Sequence, residues 1–143
     1  MTEPDNMKLE EYYEHVCRVG RLRTLDHALN WSNGVLMSLG TSLDGATKKA
    51  LANTLPDELA DQLKGVFWLL HFRDPGLTSY EFRRRVALRS GNSDPEFALF
   101  PTLAVLGGLR LFTDTDLERK VTDTLAPEIR ELWLESASKK IEV

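Results

Sequence analysis

The feature that most constrains this chain is its likeness to itself. Slid against itself by 70 positions without gaps, the 143-residue sequence places Glu11 on Glu81, Val16 on Val86, Ala28 on Ala98 and Leu29 on Leu99. The register holds through Val35 on Val105, Leu36 on Leu106, Leu39 on Leu109 and Asp44 on Asp114. It closes with Thr54-Leu55 on Thr124-Leu125 and Glu58 on Glu128. Conservative pairs lie between, such as Tyr12 with Phe82, Leu51 with Val121 and Leu59 with Ile129. Matches concentrated at apolar positions in one register mark a repeated structural unit. The expected architecture is all-α, a compact helical bundle of two tandem four-helix repeats.

Each repeat reads as four helices. The first, about 8–19, puts Leu9, Tyr12, Val16 and Val19 on one face. Its counterpart, about 79–90, opens with Thr78-Ser79-Tyr80-Glu81, a capping-box pattern. The second helix, about 25–40, carries Leu25, Ala28, Leu29, Val35, Leu36 and Leu39 behind a Thr24 cap. Its counterpart starts at Asp94-Pro95 and contains Pro101, which predicts a kink or a break into two helices. The third helices begin at Asp44 and Asp114, the fourth near Pro56 and Pro127. No run alternates apolar and polar residues as a half-buried strand would. The predicted units are 8–72 and 79–137, joined by a linker turn at 73–78.

An aromatic residue followed four positions later by Val (Tyr12 and Val16; Phe82 and Val86) recurs with a Val-Leu-x-x-Leu motif (Val35-Leu36 to Leu39; Val105-Leu106 to Leu109). A "TLPDELADQL" or "TLAPEIRELW" segment closes each unit. Over about residues 9–135 this pattern resembles the bacterial family catalogued as domain of unknown function number 2267. The resemblance implies a small all-helical protein with no catalytic motif to carry over. The chain departs from the family pattern in its apolar 66–72 stretch and in Pro101.

Composition narrows the remaining classes. At 143 residues a chain can bury roughly 68% of its unfolded surface, enough for one stable unit. With 42% hydrophobic and 28% charged residues it reads as globular rather than disordered. A formal charge of −4 provides no general attraction to nucleic acid or anionic lipid, so any basic surface must be local. The single cysteine, Cys17, forms no intrachain disulfide, and "MTEPDNMKLEEYY" lacks a signal-peptide pattern. No apolar run reaches the ~18 residues of a membrane span. These features predict a soluble protein of the cytoplasm.

Chemistry is sparse. His15 and Cys17 stand two apart and diverge on a helix, and Asp26-His27 are adjacent and diverge likewise. His71 and Asp74 could meet around a turn but are too few for a metal site. Cys17 aligns with Ala87, which favours a small inward side chain over a reactive thiol. Gly107-Gly108 falls within a helical stretch, so close helix packing explains it better than phosphate binding. Phosphate-loop, HExxH, GxSxG and paired-carboxylate patterns are missing from the sequence. No catalytic residue, cofactor or metal ligand is therefore assigned.

Two surface candidates remain. The first is "GVFWLLHFRDPG", residues 65–76. Val66, Phe67, Trp68, Leu69, Leu70 and Phe72 align with Ser136, Ala137, Ser138, Lys139, Lys140 and Glu142. A unit that closes without apolar residues in one copy does not need them for its own core in the other. On a continued fourth helix Val66 and Leu70 face inward, whereas Trp68 and Phe72 form a pair on the wet side. That pair serves packing between the repeats, a partner or self-association surface, or a small-ligand pocket. The second candidate is the basic cluster Arg83, Arg84, Arg85 and Arg89 with Arg73 before it and Arg18, Arg21 and Arg23 in the first copy. Pairs such as Glu14–Arg18 and Glu81–Arg85 would make it an ordinary self-paired helix face. The expected function is non-enzymatic: a small cytoplasmic adaptor, regulator or assembly factor acting by protein–protein contact. Trp68 and Phe72 would anchor the contact, with Arg73, Arg83, Arg84 and Arg85 as its charged rim. The alternative is an anion-binding module for nucleic acid or an acidic surface, using the arginine-rich helix.

Overall fold

The computed structural model describes residues 4–65, 74–92 and 94–139. Among the described residues eight α-helices follow in order: α1 (Pro4–Val19), α2 (Leu25–Gly40), α3 (Gly45–Thr54), α4 (Asp57–Lys64), α5 (Ser79–Arg89), α6 (Leu99–Gly108), α7 (Thr115–Thr124) and α8 (Pro127–Glu135). Short 3-10 turns occupy Pro95–Ala98, Leu109–Leu111 and Ser136–Lys139. The fold is all-helical, with no strand among the described residues.

Helix starts follow the capping residues. Thr24 accepts from the His27 amide at 3.2 Å and Thr78 from the Glu81 amide at 3.1 Å. Asp44 and Asp114 do the same for Thr47 and Leu117, at 2.7 and 2.8 Å. Each cap satisfies an amide left orphaned by the first turn and contributes about 1 kcal/mol. The capping box at Thr78 is only half made. Its threonine limb forms, but the Glu81 carboxylate turns to Arg84 and Arg85 instead.

The interruption expected near Pro101 lies just before it. A 3-10 turn at Pro95–Ala98, capped by Asp94, gives way to α6 at Leu99. This places Pro101 in the first turn of α6, where its missing N–H needs no intrahelical partner. In α2 the inward stripe is Ala28, Trp31, Val35, Leu36 and Leu39. Leu25 and Leu29, expected on that stripe, are exposed. Leu29 stands about 100° around the helix from Ala28, so both cannot face the core squarely.

Helix α2 is central, packing on α1, α4, α5 and α6, while α1 also packs on α6 and α3 on α7. Tyr12, Val16, Val35, Leu36, Leu39, Phe82, Val86, Val105, Leu106 and Leu109 are shut off from solvent in one core. The Gly107-Gly108 pair permits close approach. A Cβ on Gly107 would strike the carbonyls of Lys139 and Ser136, and one on Gly108 would come 3.0 Å from the Tyr12 ring. Between 4–65 and 79–139, Asp74-Pro75-Gly76 forms a turn closed by the Gly76 amide on the Asp74 carboxylate at 2.9 Å.

Candidate interaction surface

The predicted site divides between described and undescribed residues. Trp68, Phe72 and Arg73, with Val66 and Leu70, lie outside the described residues. Arg83, Arg84 and Arg85 lie on α5. Arg84 grips Glu81 with two bonds of 2.7 and 2.8 Å, and Arg85 reaches the same carboxylate at 3.4 Å. Hydrogen bonding from Arg84 holds the Glu81 carboxyl down to about 2, so this one carboxylate stays ionised well into acid. Arg83 points elsewhere. It donates to the Pro95 carbonyl at 3.4 Å and stands 3.8 Å from Glu96, bracing the 3-10 turn.

Two part-buried polar sets tie helices together. The first links α1, α2 and α4. Tyr12 and Ser32 share a 2.6 Å hydroxyl contact, and Ser32 donates to Gln62 at 3.1 Å. Gln62 donates to Tyr13 at 3.4 Å, and Tyr13 donates to Glu58 at 2.5 Å. Burial pushes both phenols well above the usual tyrosine range, so both keep the proton they donate. The second set is Arg110, which donates to Glu118 at 2.7 Å, to Ser136 at 3.1 Å and to the Trp133 carbonyl. Its guanidinium lies 4.1 Å over the Trp133 ring, fastening the end of α8.

His15 and Cys17 diverge as their spacing requires. The Cys17 thiol is half-buried and donates to the Leu22 carbonyl at 3.3 Å. His15 is 3% exposed and packs against Gly108. Burial pushes its imidazole below the ordinary value; the Lys139 carbonyl pulls the other way, and Arg18 adds to the depression. Asp26 and His27 are both exposed. No cluster of three or more potential metal ligands occurs among the described residues.

The surface that sequence reasoning missed lies where the α1–α2 turn meets the 3-10 turn and the start of α6. A groove of about 490 Å³ is walled by Leu22, Trp31, Phe97, Phe100 and Pro101, with Arg21 and Glu96 also lining it. Phe97 is 64% exposed and Phe100 38%. Arg21 stands in the left-handed region at φ 58° and lays its guanidinium 3.9 Å over the Phe100 ring. Exposed rings beside an open apolar groove are the composition of contact surfaces, where aromatics and arginine are enriched. The signal was available. At the 70-residue offset Phe97 falls on His27 and Phe100 on Asn30, the same polar-for-apolar exchange that singles out Trp68 and Phe72.

The family described as uncharacterized conserved protein (DUF2267) matches residues 9–132, and the chain belongs to that family. No curated protein matches it significantly. Among the described residues no helix is long and apolar enough to cross a membrane.

Proposed function

We propose that this member of the DUF2267 family is a tandem four-helix repeat that works by protein–protein contact, as a small cytoplasmic adaptor, regulator or assembly factor. The repeat reading draws support from element bounds. Moved by 70 positions, α3 falls on Thr115–Thr124, the span of α7, and α4 falls on residues 127–134, within α8. The span of α2 falls on 95–110, covered by the 3-10 turn, α6 and the turn after it. Packing has the matching symmetry: α1 against α6 is the counterpart of α5 against α2. Such an arrangement is what two copies related by a pseudo-twofold axis produce.

The observation that carries the contact reading is the exposed pair Phe97 and Phe100 on the wall of the groove. A ring left more than half in water forgoes a hydrophobic gain that a partner would supply. The groove is assembled from both copies: Leu22 and Trp31 from the first, Phe97, Phe100 and Pro101 from the second. Anion binding has less behind it, because Arg84 and Arg85 share Glu81 and Arg83 braces the 3-10 turn.

The test is a photo-crosslinking phenylalanine analogue at position 97, irradiated in the cells that make the protein. A polypeptide captured there, and not from the exposed control position 80, is the expected result. No capture from position 97 would sink the reading.

A further inference from the structure

Resting on that reading of the groove, we infer that its occupant is a second copy of this chain, docked about a twofold axis with each Phe97 seated in the other copy's groove. An isologous contact asks one patch to carry both a projection and its receptacle, and both members of every charge pair. This face does so. The projection is Phe97, held on a turn whose Pro95 carbonyl accepts from Arg83 at 3.4 Å, so the ring stands on a braced segment. The receptacle, about 490 Å³, has Phe97 itself on its rim and is otherwise walled by Leu22, Trp31, Phe100 and Pro101.

The charges repeat the pattern. Arg21 and Glu96 line the same groove with opposite signs. Glu96 is largely in water, its side chain 78% exposed and 3.8 Å from Arg83. Arg21 is held over Phe100 at 3.9 Å. In a twofold pair each Arg21 meets the other copy's Glu96, so one residue pair is used twice. The residue chosen at the left-handed position that ends α1 bears on this too. Left-handed geometry disfavours any residue with a Cβ, and strain of this kind collects at functional positions. Seventy residues later the same left-handed position is filled by Gly91, at φ 82°. Arginine at this place sets a guanidinium on the groove rim, where glycine would leave the rim bare.

The experiment is sedimentation equilibrium of the full chain across a wide concentration range, with circular dichroism confirming native helicity of each variant. The wild type should show a monomer–dimer equilibrium. Phe97→Ser should abolish the dimer. Arg21→Glu and Glu96→Arg should each weaken it roughly tenfold, and their combination should recover most of the loss. A wild type that stays monomeric overturns the inference, as does a dimer indifferent to Phe97→Ser or a double variant no better than the singles. If the wild type is monomeric while the crosslinker at 97 captures a different polypeptide, the second copy is wrong and the contact surface stands.

Discussion

The turn that ends α1 and the turn that ends α5 close by the same backbone bonds. The Leu22 amide donates to the Cys17 carbonyl and the Asn92 amide to the Ala87 carbonyl, both at 2.8 Å. Each places one left-handed residue inside the closure, Arg21 in the first and Gly91 in the second. The frames are alike and the side chains are opposite: a guanidinium over a ring in one, nothing in the other. The same holds along the helices that follow, where exposed His27 and Asn30 of the first half stand at the positions of Phe97 and Phe100. At these positions the backbone closures match while the side chains differ. Backbone closure is constrained by hydrogen bonding and packing, whereas exposed side chains are free to differ.

The comparison breaks most severely where the two halves pack differently. Gly107 occupies the position of Met37, which is only half-buried. Gly107→Met drives its side chain into the Ser136 and Lys139 carbonyls and should cost about 3 kcal/mol by overpacking, read by urea denaturation. Met37→Gly should cost less than that. A smaller effect separates Tyr12 from Phe82, both fully buried. Tyr12→Phe removes the Ser32 contact and should lower stability by about 1 kcal/mol in the same assay.

His15 differs from Arg85, its counterpart on α5, in being shut inside. Its folded pKa lies below the ordinary value, so the unfolded chain binds the proton first. Its contribution is complete above about pH 6.5 and is lost as the pH falls below that. His15→Gln should flatten this part of the stability–pH profile. The turns come last. Gly91→Ala should cost about 1 kcal/mol, while Arg21→Gly should be neutral or slightly stabilising because relief of the left-handed residue offsets the lost ring contact.

Much of this architecture was legible because it rests on local rules. Thr24, Asp44, Thr78 and Asp114 cap where a small polar side chain precedes an apolar period, and Gly107-Gly108 marks a close approach. Leu25 and Leu29 misled because periodicity records that a residue is apolar without recording where its helix stops being covered. Glu81 abandoned its capping-box limb for Arg84, a competition between two local bonds that pattern alone does not decide. The groove was hidden for another reason. Leu22 and Trp31 come from one half and Phe97, Phe100 and Pro101 from the other, so it exists only after the halves pack. Its trace in the sequence was the exchange of His27 and Asn30 for Phe97 and Phe100.

That exchange supplies the most direct test. The double variant Phe97→His, Phe100→Asn gives the second half the residues of the first at the same positions. Melting and sedimentation of this variant should show stability within about 1 kcal/mol of wild type, as for surface substitutions, together with loss of association. A fall in stability of about 3 kcal/mol or more would mark the rings as core, and undiminished association would place the contact elsewhere; either result contradicts the account.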